Sequence, residues 1–175
     1  MFHMKHVEEA YLDLLLAWNK KHNIIGRSPA RELLEESRDA IISLAKTNTL
    51  TETVVDIGAG SGIMGAPWLL SELSPDLPPL KSRRLVFVEP DRKSAAFLSL
   101  LRASLPLFAQ QSSLLDCRLE DVRRETIGAK ELVCFSRAFS PAKNLGPLYA
   151  ASELRNDPLF VFLKPGGLLK MGSVD

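Results

Sequence analysis

Asp56, Gly58, Gly60 and Gly62 fall at every second position of the run Val54-Val55-Asp56-Ile57-Gly58-Ala59-Gly60-Ser61-Gly62. An acid at the end of an apolar strand, then a glycine turn and a helix start, is an arrangement that cradles a ligand. Glycine lets the backbone take left-handed angles and lets the ligand lie directly on Gly58, Ala59, Gly60 and Gly62. The acid narrows the choice of ligand. A dinucleotide's pyrophosphate near the Asp56 carboxylate is repelled. S-adenosylmethionine (SAM) has no phosphate and presents a cationic sulfonium and an ammonium. Gly60, Gly62 and Gly65 also satisfy the dinucleotide fingerprint G-x-G-x-x-G, so a nicotinamide dinucleotide stays as the alternative, with Asp56 against it.

Two further segments complete the expected cofactor site. Glu89 follows the apolar run Leu85–Val88 and is placed to accept hydrogen bonds from both ribose hydroxyls. Its other reading is an ordinary surface acid before Pro90. Arg118-Leu119-Glu120 follows a third run, where Leu119 and Glu120 offer backbone N–H groups and an apolar side chain to adenine. In open α/β sheets such residues meet in the crevice beyond the carboxyl ends of the strands.

The elements that must position them are legible in outline. A chain of 175 residues with 46% hydrophobic and 25% charged residues is read as one soluble globular domain. Val7, Ala10, Tyr11, Leu14, Leu15 and Trp18 have the spacing of an amphipathic helix. Ser28 and Pro29 open a second helix, whose apolar face holds Leu33, Leu34, Ile41, Leu44 and Ala45. The pattern then alternates. Thr53–Ile57 reads as a strand, 63–73 as a helix, Leu85–Val88 as a strand and 91–101 as a helix capped by Asp91. Strands are expected over 114–118 and 131–135, a helix in parts of 142–163, and a last strand over 167–171. The proline-rich stretch 74–79 reads as an extended connection. This predicts a Rossmann-like α/β fold, a mostly parallel sheet with helices on both faces. Residues 1–48 are expected as an N-terminal two-helix extension and 49–175 as the SAM-binding core.

Cys117 and Cys134 both fall within expected strands and read as buried, reduced thiols of a cytoplasmic protein. The first apolar stretch, 12–18, is interrupted by Asp13 and is too short for a membrane span. His3 and His6 are too few and too near the terminus for a metal site, and no metal is expected. Net charge is +1, so clustering decides whether RNA is a partner. Three basic groups stand out: Lys20, Lys21, His22, Arg27 and Arg31; Lys81, Arg83 and Arg84; and Arg118, Arg123 and Arg124. Each reads equally as an RNA footprint or as solvated surface.

Four segments, in order, resemble the bacterial RsmG family (also called GidB), SAM-dependent methyltransferases that form 7-methylguanosine in 16S ribosomal RNA. They are Tyr11–Trp18 with Asn19-Lys20-Lys21-His22-Asn23; Val55–Gly65 with Pro67; Glu89 through Lys93 to Phe97-Leu98; and Ser136-Arg137-Ala138 with Leu163-Lys164-Pro165-Gly166-Gly167. The resemblance departs at Ile63-Met64, at 33–37 and at 170–172. Family members also continue past the position of Asp175 with further strands, so an uncovered sheet edge is expected, with three readings: a truncated product, self-association along that edge, or a divergent member. The resemblance implies SAM as cofactor, and 16S ribosomal RNA or the small ribosomal subunit as partner. It places Ser136 and Arg137 on the methyl-transfer side of the crevice. The planar fork of Arg137 suits an RNA phosphate or guanine O6, and its other reading is a salt bridge to the leading helices. Trp18, Asn19 and Asn23 are expected to pack and cap the helix end.

The implied reaction accounts for what is missing from the sequence. Guanine N7 has an in-plane lone pair and no proton to lose, so alignment and desolvation suffice. No Asn-Pro-Pro-aromatic motif or Pro-Cys pair follows the fourth strand, which disfavours exocyclic-amine and cytosine-C5 methylation. Methylation of a small molecule or a protein, and SAM binding without turnover, remain as alternative functions.

Overall fold

Thr53–Ile57 forms β1, and all five of its residues are buried. A strand without inside–outside alternation must be covered on both faces, and the rest of the chain supplies those covers. The computed structural model describes residues 2–26, 29–46, 50–70, 78–137, 142–163 and 167–171. Strands β2 (Arg84–Val88), β3 (Ser112–Leu115), β4 (Val133–Arg137) and β5 (Leu159–Leu163) join β1 in parallel, and β6 (Gly167–Met171) runs antiparallel beside β5. The order is β3-β2-β1-β4-β5-β6. The chain steps outward from β1 to β3 and then crosses back to β4. The gap between β1 and β4 is therefore the switch point, where a crevice opens.

The helices are α1 (Phe2–His22), α2 (Ala30–Ala45), α3 (Ala66–Leu70), α4 (Arg92–Ser104), α5 (Pro106–Gln111), α6 (Arg124–Ile127) and α7 (Ala142–Ala151), with 3-10 turns at Leu80–Ser82 and Leu119–Asp121. Successive strand residues point to opposite faces, and each face has its own core. Val54, Leu85, Phe87, Val133 and Phe135 pack with Tyr11, Leu34, Ile41, Trp68 and Phe97. Val55, Ile57, Val86, Val88 and Cys134 pack with Leu119, Ile127, Leu145 and Tyr149. The leading helices share the first core, so they are continuous with the sheet's packing. Arg38 pairs with Glu8, and Arg31 with Glu9 at 2.7 Å, tying α2 to α1.

The Asp91 side chain caps α4 by accepting from the Ser94 N–H at 2.9 Å, as expected. Asn19 brackets the turn after α1, its Nδ2 donating to the Gly26 carbonyl and its Oδ1 accepting from the Ile25 N–H. Asn23 takes the left-handed φ of 52° there, an angle that asparagine tolerates better than most residues. Ser28, Arg27 and the stretch 71–77 lie outside the described residues.

Several boundaries differ from expectation. Helix α3 starts at Ala66 because residues 63–65 belong to the turn. β3 is Ser112–Leu115, not 114–118, since Ser112 pairs with Leu85 and Leu115 with Val88. The two serines hid it, as serine has little strand preference, yet Ser112 is buried with its hydroxyl on the Phe108 carbonyl at 2.6 Å. Cys117 consequently lies in the connection after β3, partly buried. β4 runs two residues further than expected, with Ile57 opposite Ser136. The run Leu159–Leu163 is strand β5, where part of a helix was expected.

Candidate functional site

The β1–α3 loop crosses the carboxyl ends of the central strands. Gly58, Gly60 and Gly62 have φ of 67°, 57° and 73°. At Gly62 a Cβ would also lie 3.0 Å from both Leu98 and Phe87, so glycine is required there on both counts. At Gly65 a Cβ would stand 2.8 Å from Asp56 Oδ2 and from Leu85, so this backbone lies directly on β1's acid. The N–H groups of Gly58 and Ala59 both donate to the Val88 carbonyl, at 2.8 and 3.2 Å, closing the loop against β2.

Two carboxylates fasten the rest of the loop. Asp56 Oδ2 accepts from the Gly65 N–H at 2.9 Å, and Glu89 Oε2 accepts from the Gly60 N–H at 2.6 Å. Glu89 Oε1 takes the Asp91 N–H at 2.7 Å. A phosphate at a glycine loop is held by such backbone N–H groups. Here two of them already face protein carboxylates. Asp56 does not line an open face, as the sequence reading had supposed. It is 1% exposed beneath the loop, because its position in β1 points into the first core. Burial pushes its carboxyl up to about 7 against the pull of the Gly65 N–H, with Glu89 adding to the rise. Its Oδ1 has no hydrogen-bond partner among the described residues. The Glu89 carboxyl is also raised, first by burial, with the Asp91 and Gly60 N–H groups opposing. The Gly60 N–H is thus already taken and the acceptors beside it are those of Glu89, which suits a phosphate-free ligand carrying hydroxyls.

The expected catalytic pair is reassigned by geometry. Ser136 is fully buried within β4, its hydroxyl donating to the Ile57 carbonyl at 3.1 Å, and it joins two strands. Arg137 turns to α2. Its Nη1 donates to the Leu33 carbonyl at 3.3 Å and to Ser37 Oγ at 3.1 Å, and its Nη2 to Glu36 at 2.7 Å. The fork is occupied by the leading helices, the contact that the salt-bridge reading expects. Ala138, and 164–166 of the Lys-Pro-Gly-Gly turn, lie outside the described residues.

Leu119 and Glu120 open the 3-10 turn after β3, beside β2's end. The Leu119 side chain is buried in the second core, so adenine is left the backbone there and not the leucine face. Glu120 is partly buried. Four members of the basic groups have partners within the chain. Arg31 pairs with Glu9, Arg124 with Asp157 and Arg123 with Glu153, while Arg83 is buried with its guanidinium 5.3 Å above the Trp68 ring. Cys134 lies fully buried in β4, its thiol pushed up to about 12 by burial, which leaves no nucleophile. Among the described residues no group of three metal-ligating side chains occurs, and no helix is long and apolar enough to cross a membrane.

The sequence reading missed Tyr11, whose hydroxyl donates to the Ser61 carbonyl at 3.1 Å from inside the first core. A lone phenol on an otherwise apolar helix face is its signal, since a buried tyrosine needs a partner for its hydroxyl.

A family model described as rRNA small subunit methyltransferase G (GidB) matches residues 5–167. The chain belongs to this family. It is 32% identical over 157 residues to the ribosomal RNA small subunit methyltransferase G of Helicobacter pylori strain 26695, covering 84% of this chain and 82% of that protein. The enzyme of the same name from Caldanaerobacter subterraneus is 28% identical over 167 residues, covering 94% of this chain and 65% of that protein. Among solved structures, a methyltransferase from Geobacter sulfurreducens matches with a TM-score of 0.51 and 17% identity, over 92% of this chain and 80% of that one. Magnesium protoporphyrin IX methyltransferase from Synechocystis, solved with SAM bound, matches with a TM-score of 0.51 and 11% identity, over 89% of this chain and 74% of that one. At these identities the two structures speak for the fold: a Rossmann-like methyltransferase sheet.

Proposed function

We propose that this chain is a SAM-dependent methyltransferase acting on guanine N7 of 16S ribosomal RNA, working on the small ribosomal subunit in the cytoplasm. One observation carries the cofactor reading. The Gly60 N–H at the loop tip is engaged by Glu89 and the Gly62 N–H by the Ala59 carbonyl, so neither is open to a diphosphate. Glu89 at the loop tip supplies acceptors suited to ribose hydroxyls, while Asp56, buried beneath the loop, serves the loop's shape. Membership of the small-subunit methyltransferase family supports the RNA substrate.

When bound, SAM supplies an electrophilic methyl group, and the chain's own residues set its position. Each Glu89 oxygen uses one lone pair on a backbone N–H and keeps another for a ribose hydroxyl. The Gly58–Gly62 backbone bears the methionine end, and the 3-10 turn at Leu119-Glu120 offers backbone to the adenine. Guanine N7 attacks with a lone pair already in its ring plane and has no proton to lose. Burial of Ser136 and occupation of the Arg137 fork are compatible with that chemistry, because rate acceleration here rests on approach and orientation, not on a base. Pairing of two copies along β6, which ends the sheet order, belongs to the same proposal and is read by sedimentation.

The test is nucleoside analysis of ribosomal RNA from cells with and without this gene, joined to label transfer from SAM onto isolated small subunits. The expected result is a 7-methylguanosine difference, with transfer lost on Glu89→Ala. Transfer only to protein or small molecules overturns the RNA reading. SAM binding without any methylated product overturns the enzymatic one.

A further inference from the structure

The glycine loop is held from three sides. Asp56 holds the Gly65 N–H from β1, and Glu89 holds the Gly60 N–H from the end of β2. The third hold comes from α1, where the Tyr11 hydroxyl donates to the Ser61 carbonyl 50 positions along the chain. Tyr11 is completely buried, with its ring stacked on Phe108 at a centroid distance of 6.0 Å and 15° between planes. Packing thus fixes the direction of its O–H. The Ser61 carbonyl shares one rigid peptide plane with the Gly62 N–H, and that N–H donates to the Ala59 carbonyl at 2.7 Å. Both ends of the plane are therefore pinned. Gly62 bounds it on one side, and glycine gives little resistance to rotation of a neighbouring peptide. Ser61 is 3% exposed, so water does not replace the phenol if it is lost.

Resting on the reading that SAM binds this loop, we propose that Tyr11 is a positioning residue for the cofactor. Its hydroxyl sets the orientation of the Ser61–Gly62 peptide and makes α1 part of the cofactor site.

The test compares Tyr11→Phe with Tyr149→Phe by calorimetric titration of S-adenosylhomocysteine (SAH), the demethylated cofactor. Tyr149 is a buried control in the opposite core, its hydroxyl donating to the Asp157 carbonyl at 2.8 Å. Tyr11→Phe is expected to weaken SAH binding about tenfold, the order associated with a buried carbonyl losing its donor. It should raise KM for SAM while leaving kcat at saturating SAM within about twofold. Tyr149→Phe is expected to lower the unfolding midpoint comparably, with SAH affinity unchanged. Equal SAH binding by Tyr11→Phe and wild type overturns the assignment, as does equal weakening in both variants. No SAH uptake by wild type overturns the cofactor reading and this inference together, a result distinct from either. Amide exchange on the wild-type protein needs no variant: the Gly62 N–H should be protected like β1, and exchange at a free-loop rate overturns the inference.

Discussion

Glu89 Oε2 and the Gly60 N–H lie 2.6 Å apart, joining the acid after β2 to the tip of the loop after β1. The two segments meet because β1 and β2 are parallel neighbours in register, Ile57 opposite Val88. One carboxylate therefore shapes the glycine loop and stands ready for the ribose. Loss of Glu89 should act on both.

Glu89→Ala is expected to weaken SAH binding by at least about tenfold, since a hydrogen bond to a charged acceptor contributes roughly 1.5–3 kcal/mol. Glu89→Gln keeps an acceptor for Gly60 and should fall between. Wild-type affinity in Glu89→Ala, measured by calorimetry, would falsify the ribose role.

Asp56 makes stability depend on pH in a definite direction. Its carboxyl rises from 3.8 to about 7 on folding. Between those values the folded chain keeps a proton that the unfolded chain has released, so stability falls as pH rises. Below the window both states are protonated, and above it both are ionised. Asp56→Asn lacks this titration and still accepts from Gly65. Its unfolding free energy relative to wild type should grow by up to ~4 kcal/mol between about pH 4 and 7, then level off. Urea unfolding across that range checks this, and parallel profiles would refute it.

Arg137→Ala should cost stability and leave RNA affinity alone. The arginine bonds the Leu33 carbonyl and Ser37 Oγ in a partly buried setting, so about 1–3 kcal/mol is at stake. Glu36 is largely exposed, and Glu36→Ala should cost no more than about 1 kcal/mol. Chemical unfolding measures both. An unchanged midpoint with weakened subunit binding would support the RNA-contact reading.

Gly65→Ala and Gly26→Ala separate crowding from backbone strain. At Gly26 the φ is +65° with nothing within 4 Å, so alanine should cost only the left-handed penalty, roughly 1–2 kcal/mol. At Gly65 the new methyl meets Asp56 and Leu85 at 2.8 Å and must displace the acid. SAH binding should vanish in Gly65→Ala and persist in Gly26→Ala. Retained binding in the first would mean that the loop does not depend on Asp56.

Local pattern revealed what local chemistry determines. The apolar run ending at Asp56, the glycines and the Asp91 cap lie where the sequence put them, because strand burial, turn angles and capping are settled within a few residues. Partnership across the chain was less visible. Arg137 pointed toward RNA when read alone, yet α2, a hundred positions earlier, occupies its fork. Ser136, expected on the crevice side just past the fourth strand, lies inside β4, which extends past Phe135 and pairs the serine with Ile57. Asp56 was correctly singled out as the loop's acid but placed on the wrong side of it, since spacing alone gives no depth. Leu159–Leu163 was taken into a helix although an apolar run of five after Pro158 suits a buried strand.

The Arg137–Leu33 bond closes a span of 104 positions. α1 and α2 also pack on α3 and α4, whose residues precede β4 in the chain, so this bond joins helices that are already partly covered. Contacts so distant in sequence are costly to close and form late. A variant that removes this bond should therefore slow the last step of folding more than the first.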